Sequence, residues 1–256
     1  MPPRKGRSPT SSSAVPELRV LPVEGLPEIA EGADLGRLIA DRVELEDRDV
    51  VVVSQKAVSK AEGRVVRLED VEPSAAAYDL AAGEDPRRLE VILREAARIV
   101  RTRPPLVIAE TRHGFVCASA GVDVSNAPEP GTVVLLPVDP DASAARVRTR
   151  LHELTGRLVG VVVSDSFGRA FRNGIVDVAL GTAGITPLVD LRGQVDTAGH
   201  ELHSTVVAVA DEIASAAELA MGKLAGVPAA IVRGLDVSGG GSARELVMPP
   251  ERDLFR

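Results

Sequence analysis

The sequence predicts an α+β fold with mixed-sheet α/β character, and three observations carry that prediction. Short apolar runs rich in β-branched residues alternate with segments whose apolar positions recur at helical spacing. Some of these runs follow one another directly while others are separated by a helical segment, which fits a mixed sheet better than a barrel of repeated βα units. Of the 256 residues, 45% are apolar but only 2% aromatic, so Val, Leu, Ile and Ala must fill the core. A chain of this length makes one large domain or two small ones, and residues 17–256 are read as one folded domain.

In chain order, residues 1–16 are rich in Pro, Ser, Arg and Lys and read as a disordered tail. A strand is expected at 18–23, then a helix at 34–43 with Asp34 as its N-cap. The apolar run 50–53 is a strand. Residues 85–100 open Asp-Pro and place Leu89, Ile92, Leu93, Ala96, Ala97 and Val100 on one helical face. Strands follow at 106–109, 115–118 and 132–136, then a helix at 141–154 and strands at 158–163 and 175–180. The stretch 184–204, rich in Gly, Asp and Pro, reads as a long active-site loop. A strand at 205–209, a helix at 211–224 and a strand at 229–232 complete the order.

The formal charge is −7, although the tail contributes Arg4, Lys5 and Arg7 and no acid, so the body is more acidic still. An acidic body with no Trp and one Tyr argues against nucleic acid as a partner. No apolar run approaches the roughly 20 residues that span a bilayer, and no signal peptide is visible. The single Cys117 lies in an apolar run and is expected as a buried thiol, which fits a reducing cytoplasm.

Two acidic turns, each after an apolar run, are the strongest chemical signal: GVDVSN at 121–126 and VSDSFGRAFRNG at 163–174. Carboxylates at strand ends beside hydroxyls and amides hold hard cations, and the forks of Arg169 and Arg172 suit phosphate or carboxylate oxygens. The alternative is two solvated turns in which Asp123 and Asp165 cap the next element. In VVVSQKAVSKAEGR, at 51–64, Lys56 and Lys60 are four apart and share a face if the segment is helical, either to neutralise phosphates or as a solvated helix start. Gly239, Gly240, Gly241 and Ser242 form either a phosphate cradle or a flexible loop. His200 and His203, with Asp196 and Glu201, imitate a metal cluster but lack a second supporting spacing. Gly222-Lys223 lacks the flanking residues of a P-loop, and no Rossmann signature is present.

Taken together, LPVEGLPEI, VVVSQKAVSKAEGR, ASAGVDVSN, LLPVDPDASA, VVVSDSFGRAFRNG, VAVADEIASAAELAMGK and VPAAIVRGL occur in an order that resembles the coenzyme F420-0:γ-glutamyl ligase family. The resemblance runs over about 18–254 and includes the N-terminal half of the two-domain actinobacterial enzyme; with no nitroreductase-like domain following, it implies a stand-alone ligase domain over 17–256.

That resemblance implies a family-specific two-subdomain fold, a cytoplasmic homodimer, and a reaction that joins L-glutamate to F420-0 with GTP. Mg²⁺ or Mn²⁺ is the implied cofactor, with K⁺ as a further candidate, and the implied route passes through an acyl phosphate. Matched residue by residue, Asp123, Asp165 and Ser166 fall on metal-binding positions. Leu26, Pro27, Glu28, Ile29, Gln55, Lys56, Lys60 and Asn126 fall on positions lining the nucleotide, as do Met221, Gly222, Lys223, Leu224, Ala225, Gly226, Val227 and Pro228. Asp165, Arg169 and Arg172 are the catalytic candidates, the two arginines toward anionic substrate or phosphate. Ser164-Asp165-Ser166 stands where the family has Thr-Asp-Thr, and Lys223 where some relatives carry an acid or amide near a second metal; an ammonium cannot ligate a cation. A metal-dependent phosphotransferase or phosphatase, and a non-catalytic nucleotide-binding module, are the readings from other classes.

Overall fold

Valine runs build the centre of the molecule. The structure, a computed structural model, describes residues 17–254; the expected tail at 1–16 and Phe255 lie outside the described residues. Along the chain the elements are β1 (Arg19–Pro22), α1 (Leu35–Ala40), β2 (Val50–Ser54), α2 (Gln55–Ala61), β3 (Val65–Arg67), α3 (Ala75–Ala81), α4 (Pro86–Glu95), β4 (Ala96–Arg103), β5 (Leu106–Thr111) and β6 (Val116–Ala118). They continue with β7 (Thr132–Val134), α5 (Pro140–Thr155), β8 (Gly160–Arg169), β9 (Arg172–Ala183), β10 (Val189–Asp190), β11 (Val206–Val207), α6 (Val209–Met221) and β12 (Ala229–Arg233).

Five strands form a mixed sheet in the order β1-β12-β2-β8-β9, in which β2 and β8 run parallel and the other pairs antiparallel. Because strand side chains alternate, a strand apolar at every position must be covered on both faces. Val51, Val53, Val161, Val163 and Ile231 meet α1, α2 and α5 on one face. Val50, Val52, Val162, Ala230 and Val232 meet α6 on the other. A further core gathers α3, α4, β5 and β7 through Ala77, Leu89, Ile92, Val107 and Val133, beside the three-stranded sheet β4-β5-β6. Among the described residues no helix is long and apolar enough to cross a membrane.

Local signals set several boundaries as expected. Asp34 caps α1, its Oδ1 accepting from the Arg37 N–H at 2.9 Å. Asp85 caps α4, with Pro86 at its first turn.

Three expectations are corrected. The helix read over 85–100 stops at Glu95, and Ala96–Arg103 is a strand paired antiparallel with β5. Ile99, Val100 and Thr102 are β-branched, Pro104-Pro105 follows, and the ladder with β5 overrides the helical spacing. The stretch 163–174 is not a turn after a strand: β8 runs on through Arg169 and returns as β9, so Asp165 lies inside a long hairpin. The helix expected to reach residue 224 ends at Met221. The segment 184–204 carries β10, and much of the rest is turns.

Candidate active site

The parallel pair places the site. The C-terminal ends of parallel strands in an open α/β sheet are where ligands usually bind, and the β2–β8 ladder closes there on Ser54 opposite Ser164. At that edge β2 turns directly into α2, whose first turn is capped by Ser54. Opposite it, the ladder between β8 and β9 shifts register at Val163/Ser164. A bulge of this kind re-aims the side chains beyond it. Ser164 and Ser166 then share one face of β8 and Asp165 takes the other.

A cavity of roughly 370 Å³ opens over this edge. It is lined by Leu26, Pro27, Glu28, Ile29, Gln55, Lys56, Lys60 and Asn126, by Asp165 and Ser166, and by the loop after α6. That loop supplies Met221, Gly222, Lys223, Leu224, Gly226, Val227 and Pro228; Ala225 alone of the expected stretch is not on the wall. A second cavity of roughly 290 Å³ adjoins it, lined by Asp123 and Arg88 among others. The two share Lys56, Asp165, Ser166 and Lys223 as a common wall.

Every lysine lining the first cavity is engaged. Lys56 Nζ lies 2.8 Å from Asp123 Oδ2. Lys60, 8% exposed, lies 2.5 Å from Glu28 Oε1, so it is buried where a solvated helix start would be open. Lys223 Nζ reaches Ser166 Oγ, Asp177 Oδ1 at 3.1 Å and Glu218 Oε1 at 3.4 Å. Burial works against the Lys223 charge, but Asp177 and Glu218 outweigh it and hold the ammonium above its ordinary value.

The carboxylates differ in their surroundings. Burial opposes ionisation of Asp123, yet Lys56 and the N–H and hydroxyl of Ser125 hold its carboxyl below the ordinary range. Asp123 makes the turn contact of the capping alternative, Oδ1 accepting from Ser125 N–H at 2.7 Å, while its Oδ2 faces Lys56. Its backbone is bridged to Val134. Asp165 lies inside β8 rather than at the start of an element. Burial pushes its carboxyl up to about 6; Lys56 pulls it down, and Asp177 and Asp123 add to the rise. Burial also lifts Cys117, with Asp165 adding, to about 12, which disfavours the thiolate, and the thiol is buried as expected.

Asp177 was not legible as a site residue. It is buried on β9, its Oδ2 accepting from Ser164 Oγ at 2.9 Å and its Oδ1 from Ser166 Oγ at 2.6 Å. The signal was a lone carboxylate in the apolar run 175–180, since a buried charge needs partners. Glu218 and Arg88 left no such mark.

Other candidates fall elsewhere. Arg169 and Arg172 pair across the end of the hairpin, Arg169 Nη2 donating to Asn173 O at 2.8 Å, and neither lines either of these two cavities. Gln55 is on the first cavity's wall, but its amide donates to Ser59 Oγ and Leu135 O, at 2.7 and 2.8 Å. Gly239 and Gly241 pack closely against Thr186 and Pro187, where a side chain would not fit. His200 and His203 are exposed, and among the described residues no three His, Cys, Asp or Glu side chains converge to hold a metal ion. Phe167 packs edge-on to Phe115, ring centroids 6.3 Å apart, while Phe171 is exposed at the hairpin tip.

Known proteins resemble this chain over most of its length. The sequence profile of the family described as F420-0:gamma-glutamyl ligase matches residues 25–234. The chain is 50% identical to a coenzyme F420:L-glutamate ligase of Methanopyrus kandleri, over 94% of this chain and 99% of that protein. Identity to the ligase of the same name from Archaeoglobus fulgidus is 46%, over 93% and 96% of the two chains. To that of Methanothermobacter thermautotrophicus it is 43%, over 93% and 99%.

Proposed function

The chain belongs to the F420-0:gamma-glutamyl ligase family and is a ligase by that membership, and from this premise we propose how its two cavities divide the work. The reaction is addition of L-glutamate to coenzyme F420-0, first as an amide and then through γ-linkages, in coenzyme F420 biosynthesis. GTP and a divalent cation, Mg²⁺ or Mn²⁺, drive it. The observation that carries the reading is the wall of Lys56, Asp165, Ser166 and Lys223 common to both cavities, which brings phosphate-neutralising cations and a carboxylate to one boundary.

The nucleotide occupies the larger cavity, its phosphates toward Lys56 and Lys60 at the start and end of α2. An oxygen of the F420-0 carboxylate attacks the γ-phosphorus and GDP leaves. The glutamate amine then attacks the acyl carbon, loses its proton, and expels inorganic phosphate. The protein aligns these groups and excludes water from the acyl phosphate, where positioning supplies most of the catalysis. Asp123, Asp165 and Ser166 offer hard oxygens, and Asp165, crowded by Asp177 and Asp123, gains from a cation, so the donor set fits. Mg²⁺ commonly takes one or two carboxylates and completes its shell with substrate phosphates. When bound, such an ion would screen phosphate charge. We extend the reading to a cytoplasmic homodimer with the site near the subunit interface.

GDP release that requires both F420-0 and glutamate, with a product heavier by one glutamate in mass spectrometry, is the expected result. GDP released without glutamate points instead to a phosphotransferase or phosphatase, and GTP binding without turnover to a nucleotide-binding module.

A further inference from the structure

We propose that the second cavity binds a carboxylate of a co-substrate and that Arg88, on α4, is the residue that reads it. The identity of the co-substrate rests on the ligase reading above; the binding chemistry does not. Of the cations on this cavity's wall, Lys56 is held by Asp123, and Lys223 by Asp177 and Glu218. Arg88 is different. Its Nη1 donates to Glu84 Oε2 at 3.1 Å on the preceding turn, while its Nε, shielded from solvent, has no hydrogen-bond partner among the described residues. Shielded to that degree, Nε itself lies out of a ligand's reach, but the Arg88 side chain is 30% exposed and lines the cavity, so a ligand there meets the rest of a guanidinium that Glu84 satisfies only in part. The planar guanidinium offers several donors in a fixed fork, which is the geometry a carboxylate matches.

The rest of the cavity suits the same chemistry. Ser119 and Ser125 add hydroxyls, and Phe167 and Ile175 add an apolar wall for a short carbon chain. Roughly 290 Å³ is at the low end for ligand cavities, a size for one amino acid or for the carboxylate end of a larger molecule. A ligand there meets Asp165 and Ser166, the boundary with the nucleotide cavity. Under the ligase reading two molecules carry such a carboxylate, L-glutamate and F420-0, and kinetics separates them.

The test uses the full chain with Arg88→Gln, Arg88→Lys and Ile175→Glu, the last placing an anion at a half-open position on the cavity wall. The expected result for Arg88→Gln is a KM raised about 10- to 100-fold for one co-substrate, the loss of one charge-assisted contact. The GTP dissociation constant by calorimetry and the melting temperature should stay near wild type, because the exposed Glu84 pair contributes little. Arg88→Lys should fall between, since it keeps charge and loses the fork, and Ile175→Glu should raise the same KM. A shift confined to glutamate assigns the cavity to the amino acid; one confined to F420-0 assigns it to the acceptor. Unchanged KM for both in an active enzyme overturns the inference. Should wild type show no turnover, the ligase reading fails and the cavity is tested by NMR with glutarate as probe. Binding to wild type that Arg88→Gln abolishes then sustains the inference, and no binding, or equal binding to both, overturns it.

Discussion

Ionising Asp165 places a charge in a desolvated position beside Asp177 and Asp123, so its carboxyl titrates at about 6 rather than at the ordinary 3.8. Between those pH values the folded chain binds more protons than the unfolded one, so stability falls as pH rises through the window and stays reduced above it. Asp165→Asn, free of added metal, should therefore be the more stable protein near pH 7.5, by about 1–3 kcal/mol, and lose that advantage below about pH 4. Equal melting of the two proteins near neutrality would discard this account. With GTP and metal present the same variant should lose most turnover, with partial recovery at high Mn²⁺. Lys60 requires a gentler substitution than its exposed appearance in the sequence suggested, because its stem is buried. Lys60→Met keeps that stem, and should weaken GTP binding by about 1.5–3 kcal/mol in calorimetry while leaving the melting temperature nearly unchanged. Undiminished affinity would confine Lys60 to its pair with Glu28. At this scale Asp123, Asp165 and Lys56 were legible, because polar residues at the end of an apolar run stand out in one dimension. Asp177 was not: its partners Ser164 and Ser166 are set by cross-strand register, which no local pattern carries.

Elements show the same division between local and non-local causes. The start of α1 at its Asp34 cap and that of α4 after Asp85 were readable because a cap and its first turn are neighbours in sequence. The switch from α4 to β4 was hidden, since Ala96, Ala97 and Val100 continue a helical face that only the ladder with β5 cancels. The hairpin of β8 and β9 was read as a turn because Gly168 and Gly174 punctuate it, though both strands stay paired up to Arg169 and Arg172. One backbone position governs how Asp123 is presented. Ser119, Ala120 and Gly121 are successively left-handed, and a Cβ on Gly121, at φ +74°, would lie 2.6 Å from the Leu136 side chain. Gly121→Ala should cost about 1–3 kcal/mol in urea unfolding, from strain and overpacking together. A loss below ~0.5 kcal/mol would show that the turn relaxes freely, a typical surface-substitution value.

Across the whole molecule, a mixed sheet was foreseen from the way strand-like runs sometimes follow one another and sometimes alternate with helical patterns, but its covering by helices on both faces and the order β1-β12-β2-β8-β9 were not, because strand neighbours are chosen by packing far along the chain. The expected dimer should appear in light scattering as about twice the 26.8 kDa chain mass; a fully active species at the single-chain mass would dismiss it. GTP with Mn²⁺ at about 100 times its dissociation constant should add about 2.7 kcal/mol of stability, seen as a raised melting temperature. No shift at that excess would remove nucleotide from the larger cavity. The wall that the two cavities share has a consequence for how the ligands arrive. Lys56, Asp165, Ser166 and Lys223 face both cavities, so an occupant of either one changes the surroundings of the other. Whatever factor the first guest changes in affinity for the second, the second must return to the first, because a coupling free energy has no direction. Substitutions on that wall should then move both affinities together, while those on the far sides of either cavity should move only one.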